Sequence, residues 1–216
     1  MPAITHRSKR SNPSKNGVGR PAWDVALFYP MQGDWTEDDF LALERNSEPR
    51  LMELNDGVLV VLPMPDMLHQ DIVQFIFDLL YAFVIDLRLG RAYFAPLPVR
   101  LWRDQLREPD IVFLASHRIK DKRKPPDGAD LVVEVVSPGK GARKRDFKEK
   151  RRVYAKAKIS EYWIVDPDKR AITVLTLSGT SYRVHSVFKE GSQATSKLLK
   201  GFRVPVTDVF AAGEEK

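Results

Sequence analysis

Two acidic residues stand where apolar strands should carry none. Glu134 lies inside Leu131-Val132-Val133-Glu134-Val135-Val136, and Asp110 follows Glu108-Pro109 at the head of Ile111-Val112-Phe113-Leu114. A carboxylate within such a run is costly to bury unless it is paired or holds a cation. If the two runs are neighbouring strands, both acids can share one face within reach of one metal ion. Mg²⁺, with Mn²⁺ as a substitute, prefers oxygen ligands and takes one or two protein carboxylates plus water and substrate phosphate. The backbone carbonyl of Val135 is a further candidate ligand. The basic stretch 146–158 follows, with Asp146, Lys150 and Tyr154 at i, i+4, i+8 along one helical stripe. From there Lys150 could set an ammonium against a scissile phosphate and stabilise the transition-state charge. Two acids, a divalent cation and a lysine suffice for phosphodiester hydrolysis.

Each of these residues also has a plainer reading. Asp110 after a proline suits a turn. Asp146 and Lys150 by spacing alone read as an exposed helix pair, worth about 0.3–0.5 kcal/mol. Glu53, in Leu51-Met52-Glu53-Leu54, fits simple alternation, pointing away from Met52 and Leu54. His69, at the start of a helical pattern, reads as a solvated or capping residue. Glu134 resists such explanations, apart from an edge strand or a buried ion pair.

The elements that must position these groups are legible from pattern. Thr36 can cap a helix whose first turn, Glu37-Asp38-Asp39, is acidic. Asn55-Asp56-Gly57 between apolar runs predicts a hairpin. Apolar residues at 72, 75, 76, 79, 80, 83, 84 and 87 predict a buried helix over 67–89, closed by Gly90. Residues 93–102 read as an edge or bulged strand broken by Pro96 and Pro98. Short buried strands follow at 111–114 and 131–136. A helix over 143–158, a strand over 161–165, a hairpin over 171–188 and a terminal strand or coil with a helical turn complete the chain. The fold class is α/β with a mixed sheet (α+β), helices flanking it.

The 216 residues carry 35 Lys+Arg against 29 Asp+Glu, a net charge of +6. Residues 1–22 hold Arg7, Lys9, Arg10, Lys15 and Arg20 and no acid, so the remainder is near neutral and its positive charge is clustered. That tail is too polar to offset its chain entropy and is expected to be disordered; residues 23–216 are expected to form one domain. The clusters at 117–124 and 140–152, the latter with Arg143, Lys144, Arg145, Lys148 and Arg151, suit a polyanion such as nucleic acid, though charge runs are often just solvated faces. Cysteine is absent, which excludes disulfides, thiolate zinc sites and a cysteine nucleophile. Four histidines, none paired at metal-ligand spacing on one helix, argue against a histidine zinc site. With no apolar core after the basic start and acids within the most apolar stretch, a cytoplasmic protein away from membranes is expected.

In order, Met52–Gly57, His69, Glu108–Asp110, Asp130–Pro138, Asp146 with Lys150 and Tyr154, and Glu161-Tyr162-Trp163-Ile164-Val165-Asp166-Pro167 resemble the Uma-two family within the PD-(D/E)xK nuclease superfamily, over roughly residues 35–212. The resemblance implies a restriction-endonuclease-like core and a Mg²⁺-dependent endonuclease that leaves a 5′-phosphate. Asp110 and Glu134 match the family's metal acids. The superfamily's lysine, two residues after the glutamate, would fall on Val136; Lys150 matches the lysine as relocated to the next helix. Glu53 matches an early acid that completes or supports the metal site. DNA is the expected substrate, and by analogy with restriction-type enzymes a homodimer is expected. The alternative is a nucleic-acid- or partner-binding module that kept the fold and lost catalysis. Hydrolysis of a small phosphate ester has less support, because no Gly-rich phosphate cradle is present.

Overall fold

A computed structural model describes residues 29–46 and 51–214. The basic tail, with the disorder expected of it, lies outside the described residues. Helix α1 (Glu37–Asn46) starts at its expected cap. The Thr36 N–H donates to Asp39 Oδ2 at 3.0 Å, and Thr36 Oγ1 accepts from the Asp39 N–H at 3.2 Å. Cap and third residue thus satisfy each other's amides. Strands β1 (Met52–Asn55) and β2 (Val58–Val61) form the expected hairpin. Asp56 and Gly57 take φ of 45° and 82°, as a two-residue turn of this hand requires. Space also demands the glycine, since a Cβ there would stand 2.4 Å from the Gly33 carbonyl oxygen.

Helix α2 (Met67–Asp86) is capped by Asp66, whose carboxylate accepts the His69 N–H at 2.8 Å. Among the described residues it is the one helix long and apolar enough to cross a membrane by length and composition. Here its stripe of Ile72, Val73, Ile76, Leu80 and Val84 is buried in the main core. The helix ends earlier than expected: Arg88 takes the left-handed φ of 55°, and Gly90 already opens β3 (Gly90–Phe94).

The stretch 93–102 is not one strand. It divides at Pro96 and Pro98 into β3 and β4 (Val99–Trp102), which belong to different sheets. Prolines lack the N–H that would carry a ladder through. A short strand absent from the sequence reading, β5 (Gln105–Arg107), pairs with β4 and β1 and completes a four-stranded sheet of order β2-β1-β5-β4.

The larger sheet runs β10-β9-β8-β7-β6-β3. It contains β6 (Ile111–Ala115), β7 (Leu131–Val135), β8 (Glu161–Asp166), β9 (Ala171–Ser178) and β10 (Ser181–Lys189). Its pairs are antiparallel except β7–β8, which makes the sheet mixed. Parallel neighbours need a long crossover, and here it carries helix α3 over 140–156. Lys140–Lys144 and Arg151–Lys156 of α3 are α-helical, while Arg145–Lys150 between them is π-helical. Tyr154 and Ala155 pack with Val132, Val136, Tyr162 and Ile164 on one face of the sheet. On the other face, α2 covers Ile111, Val133, Val135 and Trp163. A small ladder of β11 (Gln193–Thr195) and β12 (Arg203–Pro205), then helix α4 (Val206–Ala211), close that side; β11 too was not anticipated.

Candidate active site

Alternation along β7 sends Leu131, Val133 and Val135 toward α2 and Val132, Glu134 and Val136 toward α3. Strand β6 pairs Ile111 with Val133. One step further along that register sets Asp110 opposite Glu134, as the ladder ends. The Asp110 carboxylate is held at both oxygens. Oδ2 accepts the Val135 N–H at 2.7 Å, and Oδ1 lies 3.2 Å from His69 Nε2. The Val136 N–H donates to Val165 in β8. The Val135 carbonyl therefore leaves on the opposite side, with its own N–H, where β6 has run out.

Helix α3 supplies the cation. Lys150 Nζ lies 2.7 Å from Glu134 Oε2 and 3.6 Å from Asp146 Oδ1. The Tyr154 hydroxyl donates to Glu134 Oε1 at 2.5 Å. Glu134 is only 2% exposed and Lys150 4%. The exposed-pair reading of Asp146 and Lys150 is thus overturned: the whole stripe faces the sheet. A π-helical turn lets one extra residue into the helix and re-aims the side chains around it, a feature frequent at functional sites. Val136, where the superfamily's lysine would fall, is buried in the apolar cluster with Tyr154 and Ile164.

Electrostatics reflects the crowding. The Glu134 carboxyl is pushed up to about 8: loss of water and the charges of Asp110 and Asp146 raise it, against the opposing pull of Lys150. Desolvation likewise raises Asp146. Burial works against the Lys150 ammonium, but Glu134, Glu53, Asp146 and Asp110 outweigh it and the group is raised. His69 follows the same balance: burial lowers it, and the hydrogen bond and charge of Asp110 raise it by more. These groups meet in a cavity of about 470 Å³ lined by His69, Asp110, Glu134, Val135, Arg145 and Lys150.

Glu53 does not join them. It stands across from Arg107 in the β1–β5 ladder, with Arg107 Nη1 2.5 Å from its Oε2, both side chains buried. Its charge reaches Lys150, but the cavity lining does not include it. One oxygen of the acid expected beside a metal is thus taken by an arginine that the sequence pattern does not flag, while its Oε1 is buried without a hydrogen-bond partner. The basic helix divides as well. Arg143 Nη1 turns to Asp166 at 2.6 Å and Arg151 donates to the Tyr182 carbonyl at 2.8 Å. Arg145 lines the cavity, while Lys144 and Lys148 are exposed.

His69, which its position alone makes a solvated or capping residue, is instead buried beside Asp110. With Asp66 fixing the helix start, it lies three, four and seven residues before Ile72, Val73 and Ile76, on the buried stripe rather than a solvated one.

Among the described residues, no group of three or more His, Asp or Glu side chains is placed to hold a metal ion. Two acids and a carbonyl still suit Mg²⁺, whose protein ligands are few and oxygen. A carboxyl raised by desolvation and neighbouring acids is what a nearby cation would relieve.

A mixed sheet sandwiched by helices, with acids and a lysine converging at the open end of two central strands, defines a nuclease-like fold. The chain belongs to the Uma2 family, described as "Putative restriction endonuclease", whose model matches residues 37–207. It is similar to a solved structure from Anabaena variabilis described as "a putative nuclease belonging to DUF820". The two share 19% identity and a TM-score of 0.66, covering 83% of this chain and 99% of that one. No curated protein matches the chain.

Proposed function

We propose that the chain is an endonuclease that hydrolyses phosphodiester bonds of DNA with the help of Mg²⁺. The observation that carries the reading is the convergence of Asp110, Glu134 and Lys150, from two strands and a crossover helix, in one cavity. Asp110, Glu134 and the Val135 carbonyl would hold the ion. When bound, it would supply an acidified water and a polarised phosphoryl oxygen. The chain's own groups do the rest. His69 and the Val135 N–H fix the Asp110 carboxylate, and Tyr154 fixes that of Glu134. Lys150 stays an ammonium and offsets charge building on the phosphoryl oxygens. Arg145, with Lys144 and Lys148 outside, grips flanking phosphates, so binding should weaken steeply with salt.

A specific observation favours the second reading, a binding module without turnover: both Glu134 oxygens already have partners in Lys150 and Tyr154. Calorimetric titration with Mn²⁺ separates the two. Saturable binding that disappears in Asp110→Asn, with Mg²⁺-dependent cutting lost in Glu134→Gln, supports the enzyme. Nucleic-acid binding without either supports the module.

A further inference from the structure

The cavity that holds the acids has a second wall of opposite chemistry. Leu62, Met64 and Pro65 line it from the segment after β2, and Ala95, Pro96 and Pro98 from the turn after β3. None carries a charge, and Met64 is 80% exposed beside a site whose Glu134 and Asp146 are almost wholly buried. With the divalent cation proposed above on its acids, and with Arg145 and Lys150 beside them, the polar wall takes an anionic group, so a ligand matching both walls is anionic at one end and apolar at the other.

A nucleic-acid strand has that character only where a base has left the stack. In an intact duplex the bases face inward and the phosphates outward. The cavity's 470 Å³ falls in the range that encloses a small molecule, about 300–1,000 Å³, and is no groove for a double helix. Glu134 and Lys150 lie at its inner end, so a phosphate reaches them only if its strand dips in.

We infer that the site takes one unstacked nucleotide, its phosphate between Arg145 and Lys150 and its base against the wall of Met64 and Pro96. Gln70, at the edge of the cavity, offers an amide to the edge of that base. The inference rests on the nucleic-acid reading above and names its substrate: single strands and bulged or mismatched positions rather than uninterrupted duplex. Selectivity follows because a base that is already unpaired costs least to extrude.

The test uses the full chain and two short DNA duplexes, identical except that one carries a single bulged 2-aminopurine. Binding is measured by anisotropy in Ca²⁺, alongside the emission of the 2-aminopurine. The bulged duplex should bind about 10-fold tighter, in line with the worth of one base contact, with a saturable change in emission. Met64→Ser, which adds no charge, should remove most of that preference and leave paired-duplex affinity unchanged. Equal affinity for the two duplexes, or a preference untouched by Met64→Ser, would overturn the inference. So would a Met64→Ser chain that changes from dimer to monomer on sedimentation while keeping the preference, which would make the wall an interface between copies. Cutting in Mg²⁺ is scored separately. A chain that shows the preference without cutting loses the hydrolase and keeps the nucleotide pocket; one that cuts both duplexes equally does the reverse.

Discussion

Glu134 and Glu161 occupy neighbouring parallel strands and are almost equally buried, at 2% and 0% exposure. Their surroundings differ completely. Glu161, on the α2 face, accepts four hydrogen bonds: from Trp163 Nε1 at 2.7 Å, Ser196 Oγ at 2.6 Å, and the N–H groups of Lys197 and Leu198 at 2.7 and 2.8 Å. All four donors are neutral, and together they tie the loop after β11 to the sheet. Glu134, on the α3 face, has one phenol and one ammonium, two further acids nearby, and a cavity in front of it. Burial of a carboxylate is therefore no sign of chemistry in itself. What matters is whether the protein saturates it or leaves it in a strained balance that a ligand can complete.

The comparison can be broken by exchange. The largest effect expected is on turnover: Glu134→Gln should lower Mg²⁺-dependent cleavage by at least about 10³-fold, the scale of losing a charge-stabilising group, while circular dichroism stays native. Glu161→Gln should do the opposite. Forcing an amide among four donors should cost on the order of 3 kcal/mol in denaturant unfolding, with activity per folded molecule retained. If Glu161→Gln cuts activity and leaves stability intact, the division of roles is wrong.

His69→Ala should lower turnover by about 10–100-fold, the scale of losing a residue that orients an acid proposed to hold a metal. His69→Gln, which can still donate to Asp110, should recover part of it; equal loss in both would remove the orienting role. In EDTA, the pH dependence of stability should report on Glu134 as well. The Glu134 carboxyl keeps its proton to about 8 in the fold and to 4.5 when free. The folded state then binds the extra proton, so this contribution is complete below 4.5 and is lost as pH rises through about 8. Replacing Glu134 by Gln should flatten that decline in thermal melts. Smallest of all, Thr36→Ala should cost about 1 kcal/mol through the lost cap, read by denaturant midpoint and without effect on cleavage.

Much of this site was legible because its signals are local. Glu134 violates the pattern of its own strand, Asp56-Gly57 names its own turn, and Thr36 with Asp39 is a contiguous cap. What escaped depended on distant partners. Arg107 reads as an ordinary basic residue until β5 is seen opposite β1, and three residues carry no alternation to reveal a strand. The separation of β3 from β4 is a choice between sheets, which periodicity does not encode. Asp146 and Lys150 lie in the π-helical stretch and face the sheet, and i, i+4 spacing fits a surface stripe equally well. Lys150 as partner of Glu134 came from family resemblance, and the geometry supplies the physical reason.

Residues 51–65 and the turn at 95–98 contribute most of the apolar side of the cavity and none of its acids, while residues 108–150 contribute all of its acids, with Arg145 and Lys150. On the proposals above, most of the wall that would meet a base and the acids that would hold the metal are written on separate stretches of chain. A loop graft at 62–65 should therefore change the apolar wall while Asp110, Glu134 and Lys150 are left as they stand, making this small scaffold a candidate for redesign.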